Sequence, residues 1–370
     1  MKKMRLGDMK KILFDNQMFT FQRFGGVTRY FADLMYNLPA GEFGAEIPMR
    51  YCENHYVTET YGHEYDKITF PHNYRLRRQI YILVNKYLAT KSVKNGDYDI
   101  FHPTYFNPYF LKHVKKRQKP FVLTIHDMTF ERYPQDVLIY DRTIPHKKLL
   151  ISEADHIIAV SENTKRDIVE LLGTDPAKIS VVHHGYRMIG TPASQLFDRY
   201  VLYVGERKGY KNFLPWLSAI RPIFNLDPNL KVICTGSPFS RAELKLFAKW
   251  NITDRLVHIS ANDVQMASLY KYALCFVFPS HYEGFGIPIL EAFANGCPVC
   301  LSNASCFPEV AGDAGLFFNP GDAQSMQDAL KEMLVSAALR DELRHKGLER
   351  SKDFSLEKMV ENTCRVYRKL

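Results

Sequence analysis

In the stretch CFVFPSHYEGFGIPILEAFANGCPVCLSN, residues 275–303, Glu283 and Glu291 stand on either side of Gly284-Phe285-Gly286-Ile287. The run LCFVF (274–278) is continuously apolar, as expected of a strand buried on both faces of a parallel sheet. PSHYEGFG carries Pro, Ser and two Gly and reads as a loop. IPILEAFANG has helical spacing, with Pro288 in the first turn and Gly296 as the stop. A further apolar strand, CPVCLS, follows. Ligands of such sheets bind outside the carboxyl ends of the strands, which places the loop 279–287 at a binding edge. Its amides and the following helix N-terminus favour an anion, most obviously phosphate. Glu291, one turn into the helix, suits a different group: a carboxylate accepts paired hydrogen bonds from a vicinal diol such as ribose. A phosphate cradle, a diol acceptor and a second carboxylate together suggest a nucleotide bearing something sugar-like. The competing structural reading has Glu291 facing its own helix dipole and Glu283 solvated.

The chain of 370 residues is long enough for two domains, and 46% hydrophobic with 24% charged residues is a globular composition. No apolar run is long enough to span a bilayer, and the start MKKMRLGDMKKILF is too short in apolar residues for a signal-peptide core, so a cytoplasmic protein is expected. Seven cysteines, several inside apolar strands, suit reduced core thiols better than disulfides. Cys297 and Cys300 form a C-x-x-C, but no second pair or His cluster follows at ligand spacing, and no metal is expected. Of the net charge of +9, residues 1–190 carry +7. The excess concentrates in RLRRQIYILVNKYLATKSVK (75–94) and KHVKKRQK (112–119). The first segment is basic, aromatic and potentially amphipathic, a pattern that suits an anionic membrane surface as well as an ordinary solvated helix. No nucleic-acid recognition motif accompanies the charge, and none is expected as a partner.

Strands alternate with helices along the whole chain, which argues for parallel α/β sheets. In the N-terminal half KILFD, YDIFHPTY, PFVLTIHDM, HIIAVSENT and KISVVHHGY each pair an apolar run with a polar exit. Those exits present His102, His126-Asp127, Ser161-Glu162 and His184-Gly185, and Gly25-Gly26 form a second glycine loop before the helical pattern 27–38. RMIGTPASQLFDRY (187–200) reads as a linker, and YVLYVG, KVICTG, LVHIS, LCFVF and PVCLS begin a second series. The expected division is residues 1–190, residues 191–354 and an amphipathic helix over 355–370 that packs back on one half, with strand ends of both halves lining one cleft. GERKGYKN (205–212), Gly236-Ser237 and the loop 279–287 would line the second wall.

These blocks resemble the retaining, nucleotide-sugar-dependent glycosyltransferases of family 4. EGFGIPILE matches the E-x7-E motif, and FGGVTRYF, TIHDM, VSENTKRDI, VHHGY, YVGERKGYKN and PEVAGDAGLFFNPGD match in family order. The resemblance implies the GT-B fold: two Rossmann-like, doubly wound parallel-sheet domains, the N-terminal one for the acceptor and the C-terminal one for the nucleotide sugar. It implies that Glu291 accepts from ribose hydroxyls, and that Glu283 sits by the donor sugar with Gly284, Phe285, Gly286 and Ile287. Lys211 and a basic partner would hold the diphosphate. The usual arginine position is Glu206 here, with Arg207 beside it. Gly236 and Gly26 would approach the donor, His126 the transferred sugar, and Gly25, His102 and Asp127 the acceptor. The donor would be GDP-mannose or a UDP-sugar, with no cofactor and no metal, and the acceptor a saccharide or lipid-linked saccharide at the inner face of the cytoplasmic membrane. A two-domain sugar-nucleotide epimerase shares the architecture; a non-catalytic nucleotide-sugar binder would bind without turnover.

If the acceptor is lipid-linked, the basic N-terminal half should sediment with anionic vesicles at low salt and release at physiological salt, since each basic residue contributes only about 1 kcal/mol near such a surface. Changing Arg75, Arg77 and Arg78 to Ser should abolish the low-salt binding. Absence of sedimentation at either salt would make the segment an ordinary solvated face.

Overall fold

Short apolar runs, most buried on both faces, become the strands of two parallel sheets. The computed structural model describes residues 9–66, 74–136, 142–187, 190–207 and 209–370. Twelve named strands lie among these residues. The first six are β1 (Lys10–Phe14), β2 (Phe43–Glu46), β3 (Ile100–His102), β4 (Val122–Ile125), β5 (His156–Ala159) and β6 (Ile179–Val181). The second six are β7 (Tyr200–Tyr203), β8 (Lys231–Cys234), β9 (Leu256–His258), β10 (Phe276–Phe278), β11 (Val299–Ser302) and β12 (Gly315–Phe318). Contacts divide the chain into two compact units, one drawn from within 1–131, 137–185 and 356–370, the other from within 132–136 and 186–355.

In the first unit β2-β1-β3 and β4-β5-β6 are each hydrogen-bonded in parallel. A parallel bridge between Phe101 and Phe121, with Phe101 N–H donating to the Pro120 carbonyl at 3.0 Å, joins the two triplets. The second unit has one six-stranded parallel sheet in the order β12-β11-β10-β7-β8-β9. The chain thus runs outward from β7 through β9, then returns to the other side of β7 with β10. That reversal is a doubly wound Rossmann arrangement whose switch point lies between β7 and β10.

Local chemistry ends the helices where the sequence places polar residues. Ser161 caps the helix Glu162–Leu172 by accepting from Thr164 N–H at 3.0 Å, and Gly173 closes it in the left-handed conformation at φ +64°. Ser240 and Glu243 form a capping box at the start of Arg241–Lys249. In the motif itself the helix is Ile287–Ala294, with Asn295 as the C-cap and Gly296 just beyond it at φ +65°. Strands β2 and β12 escape the periodicity reading: FGAE and GLFF are four residues each, contain glycine, and lie at sheet edges.

The terminal helix Leu356–Lys369 belongs to the first unit. Its Leu356, Met359, Val360, Cys364, Val366 and Tyr367 are buried within one core that also holds Phe14, Phe31 and Phe43. Lys10 Nζ donates to the Tyr367 carbonyl at 3.1 Å, and Arg368 pairs with Glu42 at 2.6 Å. The basic segment folds as the helix Tyr74–Asn95. It turns Tyr81, Asn85, Ala89 and Val93 inward at i, i+4 spacing. Leu76, Leu83 and Tyr87 remain on the outward side, 44%, 68% and 66% exposed, so an apolar stripe faces away from the core.

Candidate active site

The switch point of the second unit brings two loops together. Lys211 closes a short 3-10 turn, Gly209–Lys211, after β7; Glu283 follows β10. Lys211 Nζ donates to Glu283 Oε1 at 2.6 Å, with the side chains 16% and 14% exposed. The same oxygen accepts from Ser280 Oγ at 2.8 Å. The loop is fixed from a third side: Glu283 N–H donates to Ser305 Oγ at 3.2 Å, and Ser305 Oγ–H donates to the Glu283 carbonyl at 2.6 Å. The Lys211 ammonium also lies between the rings of Tyr210 and Phe278, at 5.3 and 5.6 Å from their centroids. A carboxylate and an ammonium held this way present an acceptor for hydroxyls beside a donor for phosphate oxygens.

Gly286 begins the next helix at φ +89°, where a side chain is disfavoured, and a Cβ there would come within 3.1 and 3.2 Å of Ile289 and Phe307. Gly284 precedes it, Phe285 is buried, and Ile287 is the first helical residue. Glu291 lies on this helix and accepts from Tyr270 Oη at 3.0 Å. Burial and the Glu291 carboxylate together hold the Tyr270 phenol well above its ordinary value, so it stays a donor. Gly236, at φ +96°, passes so close to the β7 exit that a Cβ would lie 2.6 Å from the Gly205 carbonyl oxygen.

Arg207 has a partner of its own. Expected beside Lys211 on a diphosphate, it is 5% exposed and bound by Glu243, with Nε donating to Oε1 at 2.6 Å. One terminal nitrogen donates to the Pro238 carbonyl at 3.0 Å, and the guanidinium stands over Phe239 at 4.8 Å. Glu243, already in the capping box of its own helix, is the nearest full charge, and a guanidinium so buried is held by it.

In the first unit His126 and Asp127 emerge from β4 beside a cavity of about 500 Å³, lined among others by Phe21, Tyr105, Phe106, Phe130 and Lys147. The His126 ring stacks on His184 with centroids 5.4 Å apart, Nδ1 lying 3.5 Å from His184 Nε2, and Tyr30 meets it edge-on at 5.0 Å. Asp127 Oδ1 accepts from Thr129 N–H at 3.0 Å. Gly25 caps the helix Gly26–Tyr36 in ordinary extended backbone at φ 164°. His102, expected at the acceptor, is fully buried, with Nδ1 2.6 Å from Tyr367 Oη and Nε2 2.8 Å from Thr124 Oγ1, so both nitrogens are engaged within the core.

A family model for glycosyl transferases group 1 matches residues 192–350, and the model of Glycosyltransferase Family 4 matches residues 24–187. The chain belongs to the family 4 glycosyltransferases. This glycosyltransferase is similar to the O-antigen chain mannosyltransferase B of Escherichia coli, 28% identical over 297 residues that cover 74% of the chain and 75% of the relative. It is also similar to the O-antigen chain mannosyltransferase RfbU of Salmonella typhimurium, 26% identical over 265 residues, 70% and 72% of the two chains. Among solved structures, sucrose-phosphate synthase from Thermosynechococcus elongatus superposes with a TM-score of 0.74 at 18% identity, covering 97% of this chain and 98% of that one. Anabaena HepE in complex with UDP and glucose gives 0.74 at 16% identity over 98% and 100%. The fold is GT-B.

Several groups in and around the candidate site carry no signal in the sequence. Tyr270 and Ser305 reach Glu291 and Glu283 from separate elements, and no motif spacing links them. Lys147 and Glu131 look like solvated helix charges, yet pair at 2.9 Å with 2% and 4% exposure.

The buried histidines set a pH dependence. Burial holds His102 at about 3; burial, then the charges of His102 and Lys147, hold His126 at about 3; His184 lies well below its ordinary value for the same leading cause. The unfolded chain binds these protons near pH 6.5, and the native state does not until about pH 3. Their contribution to stability is therefore fully present above pH 6.5 and is lost progressively as pH falls from there toward 3. Imidazole NMR at pH 5 should show His102 and His126 still neutral while the melting temperature has begun to fall; protonated rings at pH 5 in the folded protein would refute this.

Proposed function

We propose that this glycosyltransferase moves a hexose, mannose in the first instance, from a nucleotide-diphosphate sugar to a saccharide or lipid-linked saccharide acceptor in cell-surface polysaccharide synthesis, with retention of anomeric configuration. The observation that carries the reading is the Lys211–Glu283 contact at the switch point. Mannose draws support from the two O-antigen mannosyltransferases, and GDP-mannose is the first choice of donor. A UDP-sugar is the alternative, because HepE is known in complex with UDP-glucose. A lipid-linked acceptor draws support from the similar Campylobacter jejuni N-acetylgalactosaminyltransferase, whose name specifies a diphospho-undecaprenol saccharide.

In this reading the donor diphosphate takes the Lys211 ammonium from Glu283, and the freed carboxylate accepts hydroxyls of the donor sugar. As the anomeric carbon–phosphate bond breaks, charge grows on the leaving diphosphate; Lys211 and the amides at Gly284–Gly286 stabilise it most at that point. The leaving phosphate accepts the acceptor hydroxyl's proton, so neither glutamate acts as nucleophile and no metal ion is required of the mechanism. Glu291 accepts from the ribose hydroxyls next to Tyr270. Arg207 joins the diphosphate only by leaving Glu243. His126 stands by the transferred sugar, and Gly25, Gly26 and Asp127 border the acceptor. The outward stripe Leu76, Leu83 and Tyr87 supports reversible association with the inner face of the membrane.

Glu291→Ala should weaken GDP or UDP binding in calorimetry by roughly 1.5–3 kcal/mol, the contribution of a hydrogen bond to a charged group. Equal affinity for wild type and variant would take Glu291 out of the site. Lys211→Ala should lower kcat by about a hundredfold or more while the melting temperature stays within a few degrees. A matching collapse of both would make Lys211 a structural partner of Glu283. Turnover of the donor without transfer to any acceptor would instead indicate epimerase or hydrolase chemistry.

A further inference from the structure

The donor chemistry gives no account of the buried ion pair behind the β4 exit. Lys147 lies on the helix Thr143–Glu153 and Glu131 on the single turn Thr129–Arg132; they meet at 2.9 Å, almost entirely removed from solvent. Such a pair usually stabilises a fold no more than apolar side chains of the same volume would, because both charges lose their hydration. Here the pair is not even fully satisfied: Glu131 Oε1 is buried without a hydrogen bond among the described residues.

A third contact says what the pair can do. Lys147 Nζ also donates to the main-chain carbonyl of Asp127 at 3.1 Å. Asp127 is therefore held twice, by that bond and by the one from Thr129 N–H to its carboxylate. Both fasten the residue that directly follows His126, and His126, Asp127 and Lys147 border the same cavity. We propose that Lys147 and Glu131 are positioning residues: Glu131 orients the Lys147 ammonium, the ammonium fixes the Asp127 carbonyl, and this sets the His126 ring against the cavity. The inference rests on the placing of His126 beside the transferred sugar.

The pair also acts on His126 through its charge. The groups facing that ring are His184 after β6, His102 on β3, Tyr30 on the helix Gly26–Tyr36, the neighbouring Asp127, and Lys147. Lys147 adds to burial in keeping the ring neutral. Its Nε2 is buried and makes no hydrogen bond among the described residues, so the orientation of the ring decides whether this polar atom can be turned toward a sugar hydroxyl.

The test uses the full chain with Lys147→Met, Glu131→Met and the double variant. Each single change strands a buried charge or a carbonyl and should lower the melting temperature, so neither single variant is the deciding one. The double variant removes both charges and should melt within a few degrees of wild type. We expect it to bind GDP and UDP as wild type does, to lose about a hundredfold in kcat with little change in donor KM, and to shift the His126 imidazole titration upward. Lys147→Arg should restore part of the rate. Wild-type kcat and an unmoved His126 titration in the stable double variant would overturn the proposal. If the wild-type chain transfers no sugar at all, the functional reading fails, and the His126 titration alone still decides whether the pair positions that ring.

Discussion

Lys211 and Glu283 meet only because β7 and β10 are neighbours. The two strands are far apart in sequence, and their pairing through Leu202 and Phe276 is where the sheet reverses its order of growth. At that reversal neither strand is followed by a helix covering the same crevice, so loops from both are free to converge. The contact is short and three-sided: Ser280 shares the carboxylate oxygen, and Ser305 holds the Glu283 backbone. With one oxygen held by Ser280 and its backbone by Ser305, the carboxylate keeps its place even when Lys211 turns to another partner, and a group held in place is the condition under which an electrostatic contribution is largest.

The same economy governs the other unit, by opposite means. There neutral rings stand near the β4 exit beside the buried pair of Lys147 and Glu131. His102, His126 and His184 lie in an aromatic cluster with Tyr30, Phe31 and Tyr367, and burial keeps them uncharged. A charged imidazole there would lose its hydration. The result separates two histidines that look alike in sequence. His102 spends both nitrogens on Tyr367 and Thr124, whereas His126, beside a cavity, has no partner for Nε2 among the described residues.

The terminal helix shows how a distant segment completes that core. Tyr367 supplies the hydroxyl at His102, and its own carbonyl accepts from Lys10, the first residue of β1. Its apolar face was legible as a periodic pattern from Leu356 to Tyr367. Which sheet that face would cover was not, because both units offer apolar layers of the same kind.

Strand, loop and helix around the motif followed directly from residue types. Continuous apolar runs allow no solvated face, Gly286 tolerates a positive φ, and Ser161 and Ser240 cap the helices they precede. Those are short-range constraints, acting within a few residues, and the sequence by itself determined them, together with the alternation that makes the chain α/β and the E-x7-E spacing that marks its family. What it could not determine was which charge each charge would meet. Arg207 and Lys211 stand in one loop and read alike, yet one turns to Glu243 and the other to Glu283. Lys147 carries no mark of burial in the sequence and is buried against Glu131. Partners of this kind come from elements brought together by the sheet order, and a full charge inside a protein settles on whichever opposite charge that order places within reach; only the tertiary structure decided that.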